Sequence, residues 1–379
     1  MKTIPPALAF AVALTVSVTA SAQPAAADSQ KHYFNQNVGD SNPLRTEQAR
    51  ELDQYARTLA ADTTILNRLF VPDYSSGTAF EKSTQPLRKE FCRSIGYPPP
   101  GKRPDRQASF KQIGQDNIGT YYRAMLPILP GVHSEGLYII PKSTEKAVAG
   151  RTPLVVSMHG GGGSPEVALF NGGANYNDMV RGAVKRGYIV YAPQHLFRVD
   201  GFPQDIRRQI DDRLRLVGTS ITAVEIAKIT FAIDELIKRP EVDADRIAMV
   251  GLSYGGYYAQ MTPAIDQRIK VSVSSCYFGV QEGRYEKDEL SIPSDFRFMN
   301  RITLFNDADM VALICPRAHQ IQAGSRDNAS HRDKGSDIAP RAAAFYEKLD
   351  LDDRFQHVVF EGGHEFHDAS AWTFVEKHL

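Results

Sequence analysis

Cysteine is scarce in this chain: Cys92, Cys276 and Cys315 are the only three in 379 residues, and no two stand at Cys-x-x-Cys spacing. An odd count at wide spacing excludes a disulfide-stapled scaffold and a cysteine-based metal framework, and allows one disulfide at most. Cys276 and Cys315 lie in apolar runs and read as small buried residues rather than reactive thiols. An excess of one charge is also missing. Lys and Arg number 44, as do Asp and Glu, so neither nucleic acid nor an anionic membrane is an expected partner. Long hydrophobic runs are absent too. The run Ala7–Val18 falls short of the roughly 20 residues a helix needs to span a bilayer, and no second one exists. No internal repeat is visible.

What that short run does fit is export. Lys2 precedes it, and Ala20-Ser21-Ala22 follows with the small side chains a signal peptidase selects. The expectation is a signal peptide over residues 1–22, a mature chain that starts at Gln23, and a secreted or periplasmic location. Loss of Lys2 leaves the mature chain formally at −1. From Gln23 to about Asn42 the sequence is polar and alanine-rich, a loosely ordered leader. Leu52, Tyr55, Ala56, Leu59, Leu66, Leu69 and Phe70 then recur at helical spacing, with Thr46 placed to cap the first turn. The proline-rich stretch Tyr97–Pro104 cannot continue a helix or a central strand and reads as an extended crossing segment. Residues 23–114 are therefore read as leader and helical N-terminal extension, packed against a catalytic domain over 115–379.

From Ile118 the pattern alternates between strands and helices. Ile118–Met125 and Gly136–Ile140 read as strands joined by a Pro-Gly turn. Further strands are expected at Pro153–Met158, Tyr188–Ala192, the run ending at Leu252, Ile269–Tyr277, His319–Ala323 and Gln356–Phe360. A long helix is expected from about Thr222 to Lys238, with a capping box at Thr222-Ala223-Val224-Glu225 and a stop at Pro240. Continuous apolar strands with helices between them imply an α/β fold, a mostly parallel central sheet with helices on both faces.

Within this frame one stretch carries chemistry. Ile247–Leu252 is a buried strand, Ser253 sits in Gly251-Leu252-Ser253-Tyr254-Gly255, and a helix with small residues follows. A serine at a sharp strand-to-helix turn lifts its hydroxyl above the sheet, so Ser253 is the candidate nucleophile. Four glycines after His159, at the end of the apolar strand 153–158, can offer free N–H groups to a developing oxyanion. Gly161, Gly162 and the N–H of Tyr254 are the candidate donors. The base belongs on a loop after the last strand, where His364 follows Gly362-Gly363; His367 is its competitor. The orienting acid belongs after the preceding strand, where Asp327 follows Gly324-Ser325-Arg326; Asp307, Asp309 and Asp333 are its neighbours. The order Ser, Asp, His fits a hydrolase of this architecture. The His-Glu-Phe-His spacing is not that of a helical zinc site, so neither a metal nor a cofactor is expected. Asn328-Ala329-Ser330 is formally a glycosylation sequon, read here as incidental.

These motifs, together with the approach Arg239–Ile247, the run Ala312–Arg317 and Glu361–Phe366, resemble the α/β-hydrolases of the dienelactone-hydrolase and acetyl-xylan-esterase-like branch over residues 115 to 379. The resemblance implies the α/β-hydrolase fold and the hydrolysis of carboxylic esters. Dienelactone hydrolases proper carry a cysteine nucleophile where this chain has Ser253. Two inserted stretches, Gln194–Gly218 with Arg198, Arg207, Arg208 and Asp211, and Phe278–Asn306 with Tyr285, Phe296 and Phe298, are long enough to fold over the strand ends. The charges of the first read as a solvated face; the aromatics of the second could stack on a substrate or pack a lid. The function expected is that of a secreted serine esterase acting on short acyl or carbohydrate esters. Two alternatives stand beside it. One is a serine peptidase of the prolyl-oligopeptidase type, for whose propeller the extension is too short; the other is a non-catalytic binding protein on the same fold.

Overall fold

The computed structural model describes residues 38–145, 151–170, 175–197, 206–281, 293–328 and 335–379. The expected signal peptide, most of the leader, Arg198, Tyr285, Asp333 and part of the sequon lie outside them. In chain order the described helices and strands are α1 (Asn42–Ala60), α2 (Thr64–Leu69), α3 (Gly77–Ser83), α4 (Gln85–Ile95), β1 (Ser109–Gln115), β2 (Gly119–Leu129), β3 (Val132–Pro141), α5 (Lys142–Glu145), β4 (Thr152–Met158), α6 (Pro165–Phe170), α7 (Met179–Lys185) and β5 (Ile189–Pro193). There follow α8 (Ile206–Leu216), α9 (Ile221–Leu236), β6 (Val242–Leu252), α10 (Tyr254–Ile265), β7 (Ile269–Ser275), α11 (Asp307–Ala312), β8 (Ala318–Gly324), α12 (Ala339–Glu347), β9 (Phe355–Phe360) and α13 (Asp368–His378). Two compact units divide the chain at Ala56/Arg57.

Among the described residues nine strands form one sheet in the order β1-β2-β3-β5-β4-β6-β7-β8-β9. The first three pairings, β1 with β2, β2 with β3 and β3 with β5, are antiparallel. The remaining five are parallel. Period-two alternation sends neighbouring side chains of a strand to opposite faces, and both faces are apolar here. In β4, Leu154, Val156 and Met158 join the core under α9, α10 and α11, whereas Val155 joins the core under α7 and α13. A strand buried on both sides needs a continuous apolar sequence, which is why Pro153–Met158 was legible as one.

The extension behaves differently along its length. Phe80, Leu87, Phe91 and Ile95 of α3 and α4 are fully buried in the core that also holds β4 and α10, each contributing roughly 1.5–3 kcal/mol by burial. Arg103 pairs with Asp234 at 2.7 Å, and Tyr97 Oη meets Thr230 Oγ1 at 2.9 Å, tying the crossing segment to α9. By contrast Leu59, in the last turn of α1 and expected on an apolar helical face, is exposed. The expected continuous periodicity breaks at Ala61–Thr63, where Asp62 Oδ1 accepts the N–H of Thr64 at 2.8 Å and starts a new helix. Thr46 is not a cap either, since its hydroxyl donates to the carbonyl of Asn42 inside α1. The cap of α9 is Ser220, whose Oγ accepts the N–H of Ala223 at 3.2 Å, two residues before the expected Thr222. Among the described residues no single helix is long and apolar enough to cross a membrane.

Candidate active site

The turn from β6 to α10 places Ser253 at φ 59°, ψ −115°. A non-glycine residue held there stores on the order of 1–3 kcal/mol of strain, which the surrounding packing must sustain. The packing is tight: a Cβ on Gly255 would stand 2.2 Å from the carbonyl oxygen of Met158. Only glycine lets α10 start this close to the end of β4. That contact also brings the glycine loop after β4 against the serine. A Cβ on Gly160 would lie 3.5 Å from Ser253 Cβ.

The loop itself is pinned from below. Gly160 N–H donates to Tyr176 Oη at 2.9 Å and Gly163 N–H to the Gly160 carbonyl at 3.1 Å. Among the described residues Gly161 and Gly162 N–H have no such partner. His159 is buried and stacks on His195 with ring centroids 3.8 Å apart; its Nδ1 lies 2.8 Å from the Gly160 carbonyl. Burial pushes His159 down to about 4 and His195 well below the ordinary imidazole value, so this stacked pair is neutral at pH 7. Tyr254, first residue of α10, has one of the N–H groups that a helix start leaves without an intrahelical partner.

The acid and the base come from the next strands. Asp327 follows β8 and is 1% exposed, and its Oδ2 lies 2.7 Å from His364 Nδ1. The His364 loop leaves β9 and runs back across the strand ends. Arg326 N–H donates to the Gly362 carbonyl at 2.8 Å, and Ser275 Oγ, at the end of β7, donates to the Glu365 carbonyl at 3.1 Å. Glu365 fixes the loop further, accepting from Asn177 Nδ2 at 3.0 Å and from Gly363 N–H at 3.0 Å. These bonds, that from Asn177 first, hold its carboxyl below the usual range. Ser253 N–H in turn donates to the Ser275 carbonyl at 2.7 Å. Ser253, Asp327 and His364 thus stand just past the ends of the parallel strands β6, β8 and β9, with the end of β7 hydrogen-bonded to both the Ser253 turn and the His364 loop. The rival histidine is engaged elsewhere: His367 stacks on Phe360 and its Nδ1 meets Ser370 Oγ at 2.8 Å. Asp307 and Asp309 are buried partners of Arg301 and Arg341.

The inserted stretches correct the sequence reading. Arg207 and Asp211 are buried rather than part of a solvated face, while Arg208 is exposed. Arg207 pairs with Asp295, and Tyr254 and Tyr258 donate their hydroxyls to the same carboxylate. The Arg207 guanidinium also lies 4.8 Å from the centre of the Tyr254 ring. Phe296 and Phe298 belong to the core. Phe197 was not foreseen at all. Its ring packs on Tyr254 at 4.9 Å and crowds the glycine loop, so that a Cβ on Gly161 would lie 2.7 Å from it. No periodicity or motif marks Arg207, Asp295 or Phe197 in the sequence, since their partners are distant in the chain.

No protein-family model matches the chain. It is 25% identical over 314 residues to "Putative hydrolase YtaP" of Bacillus subtilis (strain 168), a match covering 77% of this chain and 98% of that protein. Solved structures share its architecture at lower identity. One, titled "putative acetyl xylan esterase (BF1801)" from Bacteroides fragilis NCTC 9343, is 17% identical with a TM-score of 0.61, over 81% of this chain and 82% of the other. A glucuronoyl esterase from Solibacter usitatus is 16% identical with a TM-score of 0.55, over 81% and 96%. The chain has the α/β-hydrolase fold, as its sequence motifs implied.

Proposed function

We propose that this protein is a serine carboxylic-ester hydrolase. The observation that carries the reading is the buried Asp327 carboxylate 2.7 Å from His364 Nδ1, on a loop drawn back toward the strained turn that bears Ser253. In the proposed reaction Ser253 Oγ attacks the ester carbonyl carbon and passes its proton to His364 Nε2. Asp327 holds the Nδ1–H tautomer and stabilises the imidazolium. The N–H groups of Gly161, Gly162 and Tyr254 receive the negative charge that develops on the carbonyl oxygen. His364 then returns the proton to the departing alkoxide, and water releases the acyl group by the same steps in reverse.

The bond is read as an ester rather than an amide because an amine must be protonated in place while an extended surface holds the peptide. The names of the structural neighbours, an acetyl xylan esterase and a glucuronoyl esterase, favour esters carried on carbohydrate. A matched panel of p-nitrophenyl acyl esters, acetylated and methyl-esterified glycans, and prolyl and alanyl anilides tests this. Short esters should be turned over and anilides barely; an anilide kcat/KM at or above that of every ester would establish the peptidase instead. The same reading includes export through residues 1–22, and exported material should begin at Gln23 on N-terminal sequencing. Retention in the cytoplasm with Met1 in place would overturn it.

A further inference from the structure

Ester hydrolysis as proposed makes no use of the Cys276 thiol, yet the fold sets it beside the acid and base on which that reading depends. Cys276 directly follows β7, Asp327 follows β8 and His364 follows β9. The Sγ atom, a carboxylate oxygen of Asp327 and a ring nitrogen of His364 all lie within 4.8 Å of one another. These are three different donor types, a sulfur, an oxygen and an imidazole nitrogen, converging from three neighbouring strand ends.

We propose that Cys276, Asp327 and His364 form a latent site for a thiophilic divalent cation, Zn²⁺ or Cd²⁺, and that filling it switches the hydrolase off. Tetrahedral zinc with its ordinary bond lengths separates such donors by about 3.3–3.6 Å. The Nδ1 to Oδ2 separation of 2.7 Å then has to open by roughly 0.6 Å, and separations to Sγ, which reach at most 4.8 Å, have to close by up to about 1.2 Å, movements asked mainly of the His364 loop side chain, which is 28% exposed. Cys276 and Asp327 are buried below it, so the ion enters from the His364 side and water completes its coordination. A thiolate in the set favours soft ions over Mg²⁺ or Ca²⁺.

The loss of activity follows from the two nitrogens of one ring and rests on the reading of His364 as the base. In the resting pair Nδ1–H donates to Asp327 and Nε2 keeps the lone pair that receives the serine proton. A cation on Nδ1 takes that nitrogen's lone pair, so the proton of the neutral ring moves to Nε2. The nitrogen meant to accept from Ser253 becomes a donor. The protons balance: the cation displaces one from the Cys276 thiol to solvent, the ring keeps one, and nothing is oxidised or reduced.

The test uses the full mature chain with CdCl₂, ZnCl₂ and, as a control, MgCl₂. Cd²⁺ and Zn²⁺ should stop ester turnover reversibly, with recovery in EDTA, and Mg²⁺ should not. Relative to its own metal-free rate, Cys276→Ser should need on the order of tenfold more Cd²⁺ for half inhibition, because the soft ligand is gone. Cys276→Ala is the second variant should the serine disturb folding. Binding is read without turnover from the ultraviolet thiolate-to-cadmium charge-transfer band. That band should appear in the wild type, Ser253→Ala and Cys92→Ser, and vanish in Cys276→Ser and Cys276→Ala. Its absence from the folded wild-type chain, or unchanged Cd²⁺ inhibition in both Cys276 variants, overturns the metal site and leaves the hydrolase reading intact. A band that depends on Cys276, in a protein that cleaves no ester, upholds the site and overturns the hydrolase reading.

Discussion

Acidification should destabilise this protein through histidines that are folded in neutral form, and His319 gives the size of the effect. It lies in the middle of the sheet, paired in register with Ser272 of β7, and its Nδ1 meets Ser272 Oγ at 2.7 Å. Among the described residues its Nε2 has no partner. Burial first, and the charge of Arg317 second, push it from the ordinary 6.5 down to about 3. A base whose folded value is lowered binds fewer protons than the unfolded chain, so stability is full above about 6.5 and falls as pH drops toward 3. Between about pH 7 and pH 5 this one residue costs about 2 kcal/mol. His159, lowered to about 4, adds a similar amount in the same direction, about 4 kcal/mol for the two. With the usual unfolding entropy per residue, these two lower Tm by roughly 6 °C, and His195, also held well below its ordinary value by burial, adds in the same direction. Carboxylates stay largely ionised in both states across this window, which isolates the histidines. Thermal unfolding of the wild type and of His319→Asn at both pH values is the assay. Asn can still meet Ser272 but cannot take up a proton, so the variant should lose about 2 kcal/mol of the pH dependence. Equal wild-type Tm values at pH 5 and pH 7, or an undiminished slope in His319→Asn, would refute the reasoning.

Asp327→Asn should lower kcat by on the order of 10⁴-fold, because the amide leaves the wrong imidazole tautomer facing Ser253; His367→Ala should be mild. Equal damage from His367→Ala and His364→Ala in the same kinetic assay would reverse the choice of base. Arg207→Met should destabilise by about 3–5 kcal/mol, since it leaves the buried Asp295 carboxylate without its cation, and Arg207→Met with Asp295→Leu should recover much of the loss. Urea unfolding of the single and double variants measures this, and strict additivity would show that the two residues do not act as a pair.

What could be read from the sequence was what local chemistry alone determines. The two-faced strands announce themselves as apolar runs, and the glycines of the elbow and of the loop after His159 mark where backbones approach closely. Ser253, Asp327 and His364 each stand just past a strand in a glycine-punctuated loop, so their order along the chain already suggested their roles. Strand β1, Ser-Phe-Lys-Gln-Ile-Gly-Gln, was missed because an exposed edge needs no apolar run. The break between α1 and α2 was missed because helical spacing continues across it while Asp62 restarts the backbone hydrogen bonding. Arg207 looked like surface charge because its partner, Asp295, lies in the other inserted stretch. No local pattern encodes a pairing across such a distance.

The most direct measurement is labelling of the purified protein with a serine-directed fluorophosphonate, followed by peptide mapping. A single adduct on Ser253 is expected, absent from Ser253→Ala and formed orders of magnitude more slowly in Asp327→Asn, because the reagent reacts only with a serine whose base is correctly oriented. An adduct on any other residue, or equal labelling of Ser253→Ala, would contradict the assignment of this site as a serine esterase.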